Sequence, residues 1–218
     1  MGEGKGWEQR KRTRRRLSML RQRICYLIIP TGETEATYLD HYRITTGPKI
    51  KIAKRSGKDP LLAVKFAIRE RKRLIKSGDF DPATGDETWV VIDRDANPAN
   101  PTDRAHFVEA IGLAKKSNIF IALSNDCFEL WILLHYQDVT ANLHRSLIFD
   151  LISKHRGAKY DKAVDLFHEL VPRRDQALLR ARKLHALAEG VHEADANPCT
   201  TIYILIERLM SEPGFKQM

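Results

Sequence analysis

The sequence predicts an α/β fold: a mostly parallel four-stranded sheet flanked by helices, followed by a helical C-terminal part. Three observations carry this. Short strand-like runs at 24–29, 49–53, 88–92 and 119–123 alternate with longer helical patterns, the order that builds parallel sheets. Beyond residue 140 the periodicity is helical only. The apolar run Trp89-Val90-Val91-Ile92 stops abruptly at Asp93-Arg94-Asp95, so two carboxylates stand at the carboxyl edge of the sheet, where open α/β folds place their chemistry.

In chain order, residues 1–22 form a basic arm, read as disordered until something acidic binds it. Ile24 to Ile29 is the first strand. Pro30-Thr31-Gly32-Glu33-Thr34-Glu35 turns into a helix that runs to about Arg43, with Gly32 free to take a left-handed conformation. Lys49–Ala53 is a second strand with alternating lysines. Asp59-Pro60, in N-cap and N1 order, opens a helix to about Lys76. A loop rich in Gly, Asp and Pro precedes the third strand. A helix over 102–116 and the strand Ile119–Leu123 follow, and Ser124-Asn125-Asp126 is expected to cap the next helix. Helices are predicted at about 143–155, 160–169, 174–190 and 199–211. The domain reading is a basic arm (1–22), an α/β core (23–140) and a helical extension packed on it (141–218).

At 218 residues, 43% apolar and 30% charged, the chain has the composition of a soluble globular protein with one good core. No stretch has the length of a bilayer span, and no apolar segment with a cleavage site follows the basic N-terminus, so neither a membrane nor a secretory role is expected. Cys25, Cys127 and Cys199 are too scattered for a zinc site or disulfide framework and read as reduced thiols of a cytoplasmic protein. The net charge of +9 is unevenly divided. Residues 1–23 carry +7 and residues 49–76 carry +9, while 77–218 sum to −5. Such focused basic patches suit a polyphosphate partner, because each neutralised phosphate releases counterions; a solubilising surface with a disordered tail is the plainer alternative. The cations expected to hold nucleic acid are Arg12, Arg14, Arg15, Lys54, Arg55, Lys58 and Arg94.

Asp93 and Asp95, two apart, point to one side of an extended chain and can share a hard cation such as Mg²⁺ or Mn²⁺. Glu33 and Glu35, in the first turn, join them if the first and third strands are neighbours, and such a gathering of carboxylates calls for a divalent ion. The competing reading is that both glutamates serve the helix N-terminus and the aspartates are ordinary loop acids. Ser124 and Asn125, at another strand end, are placed to hold a phosphate. His135 reads as a polar contact or a packed histidine rather than a ligand, and Cys127 as a small buried residue. Walker-type loops, Ser-His-Asp spacing and Gly-x-Ser-x-Gly are missing from the sequence.

Asp93-Arg94-Asp95 after its apolar strand, Thr31-Gly32-Glu33-Thr34-Glu35, and the run from Ser124 to His135 together resemble the RloB-like family. Tyr160-Asp161-Lys162 and Asn197-Pro198-Cys199-Thr200 fit its C-terminal pattern, and the resemblance covers about residues 24–210. It implies a Toprim-type domain and a Mg²⁺-dependent nuclease of antiphage (abortive-infection or restriction-associated) defence, with RNA such as tRNA favoured over DNA as the target. An ATPase encoded in the same defence operon is the implied partner, and a homo-oligomer is a further expectation. Asp93, Asp95 and Glu35 match the metal-binding positions and would carry catalysis, with Glu33 in support. The Toprim pattern has a glutamate just before the glycine of the first turn, and Thr31 stands there instead. That departure favours the alternative of a non-catalytic nucleic-acid-binding or partner subunit with a degenerate site. A phosphotransferase using Asp93 as nucleophile is a third reading, disfavoured because that turn is expected after the first strand, not the third.

Overall fold

In the computed structural model of the chain, residues 23–44, 49–53, 59–94, 102–162, 164–213 and 215 are described. The first half alternates strand and helix: β1 (Cys25–Pro30), α1 (Glu33–Ile44), β2 (Lys49–Ile52), α2 (Pro60–Lys76), β3 (Glu87–Asp93), α3 (Asp103–Lys116) and β4 (Phe120–Asn125). Then come α4 (Glu129–Leu134), α5 (Arg145–Arg156), α6 (Phe167–Leu170), α7 (Arg174–Leu187), β5 (Cys199–Thr200) and α8 (Ile202–Met210). The sheet order is β2-β1-β3-β4-β5, with the first four strands parallel and β5 antiparallel to β4.

β1 and β3 are central, buried over nearly their whole length, and rich in β-branched and aliphatic residues, as a parallel sheet covered on both faces requires. Their alternation sorts side chains into two layers. Leu27, Ile29, Val90 and Ile92 meet α2 and α3. Tyr26, Ile28, Trp89 and Val91 meet α1 and the helices of the second half. This second layer is continuous from Tyr26 to Leu209 and contains the fully buried Trp131, Phe128 and Phe167, each worth about 2–3 kcal/mol in transfer from water. The helices after residue 140 therefore complete one face of the sheet.

Local signals set several element ends. The Asp59 carboxylate accepts from the Leu62 amide at 2.7 Å, with Pro60 at the first helical position, as the sequence predicts. Gly157 ends α5 in the left-handed region, at φ 65°.

The structure departs from the sequence reading in three places. A fifth strand joins the sheet: Cys199 and Thr200, predicted to open a helix, pair with Asn125 and Ser124, and the helix starts at Ile202. The predicted helix over 160–169 shrinks to Phe167–Leu170. Its start is fixed by the Asp165 carboxylate accepting from the Phe167 amide at 3.0 Å, and the chain before it is drawn toward a buried acid by Tyr160 and Lys162. Ser124-Asn125-Asp126 does not cap α4, whose start has no side-chain cap; Asp126 instead accepts from the amide of Arg145, the first residue of α5, at 3.2 Å.

Candidate active site at the carboxyl edge

β1 and β3 run side by side, with Pro30 opposite Val91, and therefore release the chain at the same edge. Thr31 continues this pairing. Both its amide and its hydroxyl donate to the Val91 carbonyl at 3.1 Å, so the hydroxyl is committed to the sheet. The turn then enters α1, with Glu33 exposed and Thr34 and Glu35 buried. From β3, Asp93 arrives at the same edge, on the Trp89–Val91 side of the strand. A cavity of about 190 Å³ lies between them, lined by Thr31, Gly32, Glu33, Thr34, Glu35, Asp93 and Lys162.

Gly32, though free to do so, does not take a left-handed conformation. What requires glycine is space: a Cβ built there would collide with both carboxylate oxygens of Glu35 and come within 2.9 Å of its Cδ. The Glu35 carboxylate thus folds back over the turn, next to Asp93.

A third carboxylate stands behind these two. α4 is buried along its whole length, and Glu129 is its one acid, fully inaccessible. A buried carboxylate must be paired. Its Oε1 receives the Lys162 ammonium at 3.2 Å, the Tyr160 hydroxyl at 3.2 Å and the Thr34 hydroxyl at 3.4 Å. Its Oε2, like Oδ1 of Asp93, is buried without a hydrogen-bond partner among the described residues. Burial, reinforced by the neighbouring charges of Glu35 and Glu129, pushes the Asp93 carboxyl well above the usual carboxylate range; Lys162 and Arg145 oppose this. Burial lowers the proton affinity of Lys162, but Glu129 and Asp93 outweigh it and hold the amine charged.

These oxygens suit a hard divalent cation. Among the described residues no group of three or more His, Cys, Asp or Glu side chains stands ready to hold an ion. Mg²⁺ asks for less: it keeps several waters and is commonly held by one or two carboxylates together with substrate phosphates. Glu35 and Asp93, close enough to repel each other and with one oxygen of Asp93 unsatisfied, fit that requirement.

The sequence-predicted residues separate accordingly. Glu35 and Asp93 come together and Glu33 stands at the rim. Asp95, Arg12, Arg14, Arg15, Lys54, Arg55 and Lys58 lie outside the described residues. Arg94 is not presented to a phosphate. It is buried on the opposite face, where its guanidinium pairs with Asp103 at 2.5 Å, donates to the Ala194 carbonyl at 2.9 Å and lies 5.0 Å from the Phe107 ring centroid. Ser124 and Asn125 are likewise buried rather than open to an anion. The Ser124 hydroxyl meets that of Thr200 at 2.9 Å, and the Asn125 amide donates to the Ala196 carbonyl at 2.7 Å, because β5 covers this strand end. His135 is a packed histidine, and all three cysteines are buried free thiols.

Sequence reasoning missed Glu129 and Lys162 as site residues. A signal existed for the first: Glu129 is the single charge in the apolar run from Cys127 to Leu134, and such an acid is buried with a partner. For Lys162 only its place beside Tyr160 in the C-terminal pattern pointed to it.

The model of the RloB-like protein family matches residues 26–209. The chain belongs to the RloB-like family. No curated protein and no solved structure matches it. The matched span of this RloB-like chain runs from β1 through α8 and so contains every residue of the cavity. Among its described residues no helix is long and apolar enough to cross a membrane.

Proposed function

We propose that this RloB-like chain is a metal-dependent nuclease with a Toprim-type core, cleaving phosphodiester bonds in RNA such as tRNA in preference to DNA. Its setting would be antiphage defence in the cytoplasm, beside an ATPase partner. The observation that carries the chemistry is the shared cavity of Glu35 and Asp93, two acids from neighbouring strand ends with a lysine facing them. The preference for RNA and the biological setting rest on the family resemblance.

Glu35 and Asp93 would hold Mg²⁺ or Mn²⁺, joined by Asp95 from the following residues. Bound there, the ion supplies polarisation of the scissile phosphate and a water of lowered pKa. The chain's own residues do the rest. Lys162 places a positive charge in the cavity, where it offsets negative charge building on the phosphate oxygens. Glu129 orients that ammonium, and Tyr160 and Thr34 fix Glu129 in turn. Gly32 leaves room for the Glu35 carboxylate.

The test incubates the full chain with tRNA, single-stranded RNA and DNA, with Mg²⁺, Mn²⁺ or EDTA, beside Asp93→Ala and Glu35→Gln. Metal-dependent cleavage lost in both variants supports the assignment; cleavage unchanged in Asp93→Ala rejects it.

A second reading, a non-catalytic nucleic-acid-binding or partner subunit, is favoured by Thr31. It stands where the Toprim pattern has a glutamate, and its hydroxyl is spent on the Val91 carbonyl. Salt-sensitive binding without cleavage under any divalent ion would decide for it.

A further inference from the structure

Four cations line one face of α2. Lys65, Arg69, Lys72 and Lys76 follow one another at spacings of four, three and four residues, so they share a side of the helix. All four are exposed, and none is ion-paired among the described residues. The other two arginines nearby are engaged: Arg73 pairs with Glu70 at 2.5 Å and Arg71 donates to the Asn118 carbonyl at 3.1 Å. That last bond ties the end of α2 to the end of α3, where Lys116 adds another exposed cation. At 1.5 Å per residue the stripe from Lys65 to Lys76 is about 16 Å long, the axial rise of about five phosphates of one B-form strand.

Other polyanions fit this face less well. The opposite side of α2, with Ala63, Val64, Ala67 and Leu74, is buried in the core, so the helix has no apolar side to lay into a lipid surface. An acidic protein would call for an apolar centre to the contact, but the exposed apolar side chains of α2, Leu62 and Ile75, lie near its two ends.

We infer that this face of α2 holds a polynucleotide by its phosphodiester backbone, without reading sequence. The inference rests on the reading that the chain acts on nucleic acid, though not on cleavage itself. α2 packs on the Leu27–Val90 face, across the sheet from the Glu35–Asp93 cavity, so the stripe supplies affinity and register rather than chemistry. Phosphate contacts of this kind do not distinguish ribose from deoxyribose.

The experiment measures binding of labelled single-stranded RNA and DNA oligonucleotides by fluorescence anisotropy, in EDTA, over a potassium chloride series. The stripe variant is Lys65→Gln/Lys72→Gln/Lys76→Gln, since glutamine matches lysine closely in helix propensity. The control, Lys154→Gln/Lys159→Gln/Lys183→Gln, removes three exposed lysines from the other side of the sheet. The slope of log affinity against log salt is expected to become shallower by about 2 in the stripe variant, with both nucleic acids, and to hold in the control. Equal changes in both variants, or none in the stripe variant, overturn the inference. So does a stripe effect seen only with polyglutamate or with phosphatidylserine vesicles. Asp93→Asn, run alongside, separates this surface from the catalytic reading. A stripe-dependent slope in a chain that cleaves nothing defeats the nuclease alone; cleavage with an unaffected slope defeats the docking surface alone.

Discussion

The carboxylate of Glu35 occupies the space that a Cβ on Gly32 would fill. Two residues three apart in one turn are thereby coupled: the absence of a side chain at the first sets where the second carries its charge. Because the colliding atoms are the far end of a flexible side chain, Gly32→Ala is expected to cost only about 1 kcal/mol of stability. It should nonetheless abolish metal-dependent cleavage, because Glu35 is displaced from Asp93. Urea unfolding beside the cleavage assay checks this pair of outcomes, and retained activity would contradict the geometry.

Asp93 is held against its neighbours. It is buried, faces the charges of Glu35 and Glu129, and leaves Oδ1 without a hydrogen-bond partner. In EDTA, Asp93→Asn is expected to stabilise the fold by about 1 kcal/mol, as relief of a strained site commonly does. Mg²⁺ should then raise the melting temperature of the wild type but not of the variant. Destabilisation in EDTA, or an equal Mg²⁺ response in both, would count against a cation site here.

The Glu129–Lys162 pair offers a test of coupling. Lys162→Met leaves a fully buried carboxylate with only the Tyr160 and Thr34 hydroxyls on Oε1. A loss of about 2 kcal/mol is expected, below the usual cost of breaking a fully buried pair because Lys162 is partly exposed. Adding Glu129→Gln should restore part of the loss. The double-mutant cycle is therefore expected to give a coupling of at least about 1 kcal/mol, whereas additive losses would deny the contact an energetic role.

His135 sets an acid limit on stability. Its Nδ1–H donates to the Trp131 carbonyl at 2.9 Å, and burial pushes the imidazole down to about 4 from an ordinary 6.5. The unfolded chain therefore binds a proton at a pH where the folded chain does not. The contribution is complete above pH 6.5 and falls away as the pH drops toward 4, amounting to about 3 kcal/mol. Unfolding at pH 7 and at pH 4.5 measures it, and His135→Gln should flatten the difference.

Elements with a local cause were legible in the residues. The buried strands β1 and β3 announce themselves as apolar β-branched runs, and α2 by its Asp59-Pro60 start. The meeting of two acids at the end of β3 was legible too, because an apolar strand that stops at an acid places that acid at the sheet edge, and Asp93 and Glu35 both line the cavity there. Arg94 was misread for a reason that alternation explains: one residue beyond Asp93, it turns to the other face, where Asp103 and the Ala194 carbonyl take its charge.

The sequence alone determined the alternation of strand and helix, the family, and two of the three acids that meet at the edge. Tertiary structure decided the fifth strand, the burial of Ser124 and Asn125 beneath it, and the role of Glu129. Those features depend on pairings across 31 residues, from Glu129 to Tyr160, across 76, from Ser124 to Thr200, and across 95, from Thr34 to Glu129. Local propensity and hydrophobic period act over a few residues at a time. Which distant hydroxyl or ammonium reaches a buried carboxylate is settled only when the layers close over it.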